Sequence, residues 1–303
     1  MSNRWWIYQR ERFPLVRHGV LVLAFSLSAL TFSRLLRGEV SFPPWSGAFV
    51  AFATALTFFL QLRIADEFKD IDEDTRYRPY RAVPRGLVSL RELGRVFVLC
   101  AAGQLLLALW LHPPLIVLLL VTWVYLAGMC KEFFAREWLK ARPLVYLWSH
   151  MLIMPLVDLY MTSCDWLVHG LDRPPTGILW FLVVSFCNGV LLEFGRKIRC
   201  AGDEEAGVET YTALWGTDRA VTAWVLALSV NLGAALMASV QTETFPPTVV
   251  VLSVFYAAAV AVAVAFRRNP TGKRAGRIEA VSGIWTLAMY LVLGPLALVW
   301  HQL

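Results

Sequence analysis

Three aspartates follow one another at helical spacing directly after an apolar segment. Asp66, Asp70 and Asp74 occupy positions i, i+4 and i+8, so on a helix that continues from this segment they stack along one face. Like charges at this spacing repel by about 0.2–0.5 kcal/mol per pair on an exposed helix. A compensating cation is therefore expected, and Mg²⁺ is the natural candidate because it takes one or two carboxylates together with waters and substrate phosphate oxygens.

A plainer interpretation of these acids is a solvated helix end. Their charges would then be balanced by ion pairs with Lys69, Arg76 and Arg78. The strict spacing, the position at the end of an apolar segment and a second charged loop favour the metal interpretation. That second loop covers residues 193–216 and is also dense in both signs of charge, which suggests two related halves that face one another.

Polar side chains also fall inside apolar segments, where they are functional candidates by default. His150 and Asp158 lie two helical turns apart, and Asn188 precedes Glu193 on a later segment. Asp158 is interpreted either as a contact to a substrate or a cation, or as an internally satisfied hydrogen-bonding group. His150 lies near the end of its segment and is a further candidate for a catalytic role.

The elements that position these residues are transmembrane helices. Hydrophobic residues make up 58% of the 303 positions and charged residues only 17%, which leaves too little polar surface to solvate a globule of this size. A helix needs roughly 20 apolar residues to cross the hydrocarbon of a bilayer. Nine runs of this kind predict an all-α polytopic membrane protein, a single domain over residues 1–303, with spans near 15–36, 45–64, 92–111, 114–130, 143–162, 178–195, 219–240, 246–266 and 281–300.

The basic residues predict the orientation of these spans. If the helices alternate in direction, 25 of the 28 lysines and arginines fall on one side, and only Arg34, Arg37 and Arg173 fall on the other. The positive-inside rule then predicts a cytoplasmic amino terminus, a carboxyl terminus on the opposite side and, for a bacterial-type protein, insertion in the inner membrane.

Several other kinds of function are not indicated. The net charge of +6 follows from membrane topology, and the basic loops lack the aromatic spacing of a nucleic-acid stacking platform. The five cysteines are scattered without a CxxC pair, so neither a disulfide framework nor a zinc site is predicted. The sequence does not indicate an oligomeric state.

The first acidic loop resembles the signature of the UbiA superfamily of intramembrane prenyltransferases. That signature is an acidic run of the form NDxxDxxxD after the second helix, followed by an Arg-Pro and a Gly-Ile-Ser-like segment. Here Asp66 stands at the usual asparagine, Glu67 at the first aspartate, and Asp70 and Asp74 at the other two, with residues 81–89 (RAVPRGLVS) downstream. The resemblance implies nine helices around a central cavity, and Mg²⁺ bound by these acids that holds an isoprenyl diphosphate in the membrane.

The second family signature, DxxxD followed by a Gly-Ile/Val-x-Thr segment, matches less well. Gly207-Val208-Glu209-Thr210 supplies the tail of the motif, and Asp203 takes its second aspartate. Arg199 stands where the first aspartate is expected. The resemblance therefore implies Mg²⁺ ligands at Asp66, Asp70, Asp74 and Asp203, with Glu193 reaching the same metal from the end of the sixth helix.

A departing diphosphate needs prearranged positive charge in a water-poor cavity. The candidates share a position on the basic side of the membrane, and each is also a candidate for setting topology. They are Arg63, Arg81, Lys131, Arg196, Lys197 and Arg199. Asn188 and Asp158 are expected to contact the acceptor or the allylic cation.

The resemblance implies Mg²⁺-dependent transfer of a prenyl group to an aromatic or lipophilic acceptor. One alternative is a UbiA-type membrane terpene cyclase, in which the allylic cation closes upon itself. Another is a transporter that uses the same polar groups as a permeation path. The acidic clusters at one membrane face argue against transport.

Overall fold

A computed structural model describes residues 3–205 and 209–303. Within these ranges the chain forms helices and short turns and no β-strand, as predicted. The α-helices are α1 (Arg4–Arg12), α2 (Leu15–Leu36), α3 (Trp45–Lys69), α4 (Ile71–Tyr77), α5 (Leu90–Leu111), α6 (Leu115–Cys130), α7 (Arg136–Lys140), α8 (Pro143–Met151), α9 (Ile153–Trp166), α10 (Ile178–Lys197), α11 (Tyr211–Trp215), α12 (Thr217–Gln241), α13 (Phe245–Arg268), α14 (Gly272–Leu293) and α15 (Pro295–Gln302).

Nine helical segments of the described chain have the character of membrane spans. Eight are long and apolar enough to cross a bilayer, with α8–α9 and α14–α15 each counted as one span, and the 16-residue α6 is a shorter ninth. The prediction of about nine transmembrane helices is confirmed. The chain is an integral membrane protein, with the loops after α3, α6, α10 and α13 on one face, which we call the basic face.

Two spans are interrupted next to a proline. Pro155 cannot donate a backbone hydrogen bond to Met151, and the helix breaks between α8 and α9 at Leu152. Pro295 likewise follows the break at Gly294 between α14 and α15. A missing N–H and a clash with the carbonyl four residues earlier account for both interruptions.

Helices α2, α10 and α14–α15 lie deepest in the bundle, whereas α5 and α13 have most of their surface outside it. Gly294 permits the close packing of α14 on α2, because a Cβ at this position would clash with the Ser28 backbone in α2. At this point the end of α14 and α2 therefore contact one another almost backbone to backbone.

The amino-terminal helix α1 is fastened to the basic face. Its Tyr8 is buried against Ile64 and Ala82, and Arg12 forms an ion pair with Glu67 at 2.5 Å. Nearby, the Ser89 hydroxyl accepts a hydrogen bond from the Glu92 backbone N–H, and the Glu92 carboxylate accepts one from the Ser89 backbone N–H. This capping box begins α5, and so fixes the end of the segment that follows the acidic loop.

Candidate functional site

The first acidic loop lies where α3 breaks into α4. Asp70 is the residue at the break, yet its N–H still donates to the Asp66 carbonyl at 2.9 Å, and the Asp74 N–H donates to the Asp70 carbonyl at 2.8 Å. The one-turn spacing of the three aspartates is therefore kept across the break. Glu67 points elsewhere, to Arg12, and its side chain is 1% exposed.

Asp74 does not fit a metal ligand in this arrangement. It is 2% exposed, and Arg81 donates to both of its carboxylate oxygens, at 2.9 and 2.7 Å. Arg78 adds a third contact at 2.9 Å. Two arginines therefore balance the charge of Asp74. The ion-pair interpretation of the loop named one of them, Arg78. The other, Arg81, is held by Asp74.

Asp70 has the opposite environment. Its side chain is half-buried, and in the described ranges no cationic nitrogen lies within 4 Å of its carboxylate. Burial raises the pKa of this carboxyl; Lys69 opposes the shift, and the charges of Asp66 and Asp74 add to it. Asp70 is thus a half-buried carboxylate that lies near two other acids and has no ion-pair partner among the described residues.

Asp66 lies one turn before Asp70 at the mouth of a small cavity. It accepts a hydrogen bond from Arg63 at 2.9 Å and lies 4.0 Å from Lys69. The cavity has a volume of about 20 Å³, and its other walls are mostly apolar. The lining residues are Leu62, Ala65, Asp66, Lys69, Leu126, Met129, Cys130 and His150.

Two side chains that the sequence does not single out lie beside Lys69: Glu132, which follows α6, and Tyr146 of α8. Lys69 donates to the Tyr146 hydroxyl at 2.7 Å and lies 3.5 Å from Glu132. His150 stacks on Tyr146 at 4.0 Å between ring centroids, and its Nε2 lies 3.3 Å from Glu132. The only signal for Glu132 in the sequence is an acid next to the end of an apolar span. Lys131 beside it is exposed.

Residues at the end of α10 lie opposite the acidic loop. Glu193 forms ion pairs with Arg196 at 2.5 Å and Lys197 at 3.0 Å, and Arg196 lies close enough to Asp66 for their charges to interact. Tyr211 packs beside them, and burial together with the charge of Glu193 raises the pKa of its hydroxyl. The two charged loops thus face one another.

The remaining residues of the second motif are turned away from Asp66 and Asp70. Arg199 reaches Glu279 of α14 at 3.5 Å. Asp203 is exposed, accepts a hydrogen bond from the Cys200 thiol at 3.2 Å, and lies against Gly272 where α14 begins. Gly207 and Val208 lie outside the described residues.

These positions limit the metal site that the chain can form. In the described part of the chain, no three Asp, Glu, His or Cys side chains converge as a ligand set. Mg²⁺ is commonly held by only one or two carboxylates, with waters and substrate oxygens completing the octahedron. Asp66 and Asp70 fit that pattern, because they lie one turn apart and Asp70 lacks a cation, whereas Asp74 and Asp203 do not.

A second polar cluster lies in the centre of the bundle. Asp158 is fully buried and accepts a hydrogen bond from Tyr290 at 3.3 Å; Asn231 donates to Asn188 at 2.9 Å. Among the described residues, four buried polar atoms of this cluster have no hydrogen-bond partner: Asp158 Oδ1, Ser185 Oγ, Asn188 Nδ2 and Asn231 Oδ1. Asp158 and Asn188, which the sequence analysis predicted together, both lie beside Tyr290 and belong to one cluster that has unused hydrogen-bonding capacity.

The UbiA prenyltransferase family model matches residues 41–285, which include both acidic loops. The chain belongs to the UbiA prenyltransferase family. Family membership confirms the resemblance noted in the sequence and supports prenyl transfer within a membrane in general. No curated protein matches the chain in sequence.

Two solved structures are similar to this UbiA family member in fold. The apo structure of a UbiA homolog from Aeropyrum pernix K1 superposes with a TM-score of 0.66 at 15% identity, over 94% of this chain and 98% of that one. A digeranylgeranylglyceryl phosphate synthase structure superposes with a TM-score of 0.60 at 11% identity, over 93% and 99% of the two chains. At these identities the likeness establishes the UbiA fold.

Proposed function

We propose that this protein ionises an isoprenyl diphosphate on Mg²⁺ held by Asp66 and Asp70, and transfers the prenyl group to a lipophilic acceptor within the membrane. The observation that supports this most is the contrast between two neighbouring aspartates. Asp74 is saturated by two arginines, whereas Asp70 is half-buried and faces no cation within 4 Å in the described chain. Among the buried and half-buried acids of the described loop, Asp70 is the one without an ion-pair partner within 4 Å.

In the bound state Mg²⁺ would supply positive charge to the departing diphosphate. As the C–O bond to the allylic carbon breaks, both electrons remain on the diphosphate oxygen, and fixed cations stabilise that growing charge more than the ground state. Arg63 is well suited to this role, because it lies beside Asp66 and its buried Nε has no hydrogen-bond partner in the part of the chain that the structure describes. Arg196 and Lys197 approach from the opposite loop.

The apolar walls contribute by excluding water. Leu62, Leu126 and Met129 are among the side chains around Asp66, and apolar neighbours of this kind protect an allylic cation that forms beside Asp66 from hydrolysis. The cation is consumed when the acceptor donates an electron pair to the allylic carbon and then loses a proton.

We assign the central polar cluster to the acceptor. Its unpartnered groups, Asp158 Oδ1 and Asn188 Nδ2 among them, offer hydrogen bonds to the polar end of a lipophilic molecule. A hydroxyl or carbonyl group on an otherwise apolar acceptor matches a cluster of this kind, buried among the spans.

The test is incubation of the purified protein with radiolabelled isoprenyl diphosphates of several chain lengths, Mg²⁺ and a lipid extract. We expect Mg²⁺-dependent diphosphate release and a prenylated lipid product. The Asp66→Asn/Asp70→Asn variant is expected to lose both activities. Asp72→Asn is the matched control, because Asp72 is an exposed acid in the same loop, and this variant is expected to keep them.

Each of the other outcomes has a defined meaning. Equal diphosphate release by the wild type and the double variant would reject the assignment of Asp66 and Asp70. A cyclised product formed from the donor and Mg²⁺ alone would replace transfer by terpene cyclisation. Flux of an unaltered substrate across sealed vesicles, without diphosphate release, would support transport.

A further inference from the structure

The environment of Lys69 differs from that of the other basic residues around the site. Its shortest contact is with a neutral group, the Tyr146 hydroxyl at 2.7 Å, and the nearest carboxylate oxygens lie farther away, at 3.5 Å in Glu132 and 4.0 Å in Asp66. An ammonium group has three donors. Lys69 is therefore held in place by Tyr146 without being neutralised by a close ion pair.

Three of the cations that the sequence suggested for diphosphate binding form closer ion pairs with carboxylates than Lys69 does. Arg81 contacts Asp74 at 2.7 Å, Lys197 contacts Glu193 at 3.0 Å, and Arg63 contacts Asp66 at 2.9 Å. Lys69 also lines the cavity beside Asp66, and it precedes Asp70 directly in the chain. Lys69 is thus a cation at the cavity whose contacts with carboxylates are longer than those of Arg63, Arg81 and Lys197.

The chain adopts a strained conformation to bring Glu132 to this lysine. Glu132, Phe133 and Phe134 have φ angles of +48°, +50° and +59°, a left-handed turn that costs roughly 1–2 kcal/mol per non-glycine residue. The turn leaves Phe134 exposed and buries the Glu132 side chain, which is 5% exposed, between Lys69 and His150. Strain of this kind is kept where the position of a side chain matters for function.

We propose that Lys69 is an additional diphosphate-binding residue, and that Glu132 and Tyr146 are positioning residues that hold its ammonium group toward the cavity beside Asp66. This inference rests on the proposed function and deepens it. Arg199 stands where a second-motif aspartate is expected and faces Glu279 instead, so the opposing loop offers fewer acids for a further metal ion. The fixed ammonium of Lys69 supplies positive charge to the diphosphate from the first acidic loop.

The experiment measures binding of inorganic pyrophosphate to the full-length protein at saturating Mg²⁺, by isothermal titration calorimetry. Because a charge-assisted hydrogen bond is lost, Lys69→Met is expected to weaken pyrophosphate binding by at least about tenfold. Lys140→Met is the matched control. Lys140 is exposed on the same face, pairs with Glu73 at 3.0 Å, and its loss is expected to leave the affinity unchanged.

A double-mutant cycle tests the positioning role of Glu132. Glu132→Gln is expected to weaken pyrophosphate binding on its own and to have no further effect in the Lys69→Met background, because it acts through Lys69. A purely structural role would instead give additive losses in the two backgrounds. Additive losses would overturn the positioning role.

The failures of the two proposals are distinguishable. If the wild type binds no pyrophosphate in the presence of Mg²⁺, the proposed function fails together with this inference. If the wild type binds and Lys69→Met binds equally well, only this inference is overturned.

A measurement on the wild type covers the case in which the Lys69→Met protein does not fold. Mg²⁺ and pyrophosphate together should protect Lys69 from an amine-acylating reagent, with acylation of Lys140 unchanged, as quantified by peptide mass spectrometry. Acylation of Lys69 at the same rate with and without pyrophosphate would overturn the proposal.

Discussion

Two chemically identical substitutions in the acidic loop should have opposite effects on stability. Asp70→Asn removes a carboxylate whose charge is disfavoured by burial and, although Lys69 offsets part of this, by repulsion from Asp66 and Asp74, each one turn away. Those neighbours are partly neutralised by arginines, so the relief amounts to about 0.5 kcal/mol. Asp74→Asn instead strips Arg78 and Arg81 of a buried partner, which should cost about 3–5 kcal/mol.

The assay is thermal unfolding of the purified variants without Mg²⁺. Asp70→Asn should melt slightly above the wild type, and Asp74→Asn several degrees below it. The higher melting temperature of Asp70→Asn relative to the wild type should disappear at acid pH. A carboxyl whose folded pKa is raised carries no penalty while it is protonated, and the penalty develops as the pH rises through that folded value.

Addition of Mg²⁺ and pyrophosphate should then reverse the order of Asp70→Asn and the wild type. A ligand present at 100 times its dissociation constant stabilises the wild type by about 2.7 kcal/mol, and Asp70→Asn should lose most of that stabilisation. A lowered melting temperature for Asp70→Asn without the ligand, or full stabilisation of this variant by the ligand, would refute the reasoning.

Three further predictions concern the contacts that surround the site. Arg12→Met leaves the buried Glu67 carboxylate without its partner and should destabilise the protein by about 3–5 kcal/mol; Arg12→Met/Glu67→Leu should recover most of the loss in thermal unfolding. Gly294→Ala places a methyl group against the Ser28 backbone and should cost about 1–3 kcal/mol, measured in the same way; an unchanged melting temperature would contradict the observed packing. Glu132 is buried, but its contacts with His150 and Lys69 lower its pKa, so its stabilising contribution should be lost as the pH falls below 4.5 through the folded value. Glu132→Gln should flatten that part of the melting-temperature profile, and an unchanged profile would contradict the assignment.

The sequence predicts the spans well because the hydrocarbon core demands long apolar helices wherever the chain crosses it. It is less informative about their ends and interruptions. The last span begins at Gly272, well before the predicted position 281, because a helix can continue through charged residues such as Arg274 and Arg277 once it leaves the lipid. Pro155 and Pro295 lie inside predicted spans. The apolar pattern does not predict the helix breaks beside them, which follow from the missing N–H and the steric clash of each proline.

The candidate site was predictable only in part. Regular spacing along one helix identifies Asp66 and Asp70, because such spacing survives in three dimensions. Spacing also suggests Arg78, four residues after Asp74, as an ion-pair partner, but it does not reveal Arg81, whose contact with Asp74 depends on how the loop folds back. Glu132 could not be assigned from its spacing at all, because a left-handed turn carries it to Lys69 from another loop.

The central claim is that Asp66 and Asp70 bind a divalent cation together with the diphosphate. The most direct measurement is electron paramagnetic resonance of Mn²⁺, titrated into the purified protein with and without inorganic pyrophosphate. The account predicts tightly bound Mn²⁺ that requires pyrophosphate, is lost in Asp66→Asn/Asp70→Asn, and persists in Asp203→Asn. Undiminished binding of Mn²⁺ and pyrophosphate by the Asp66→Asn/Asp70→Asn protein would contradict it.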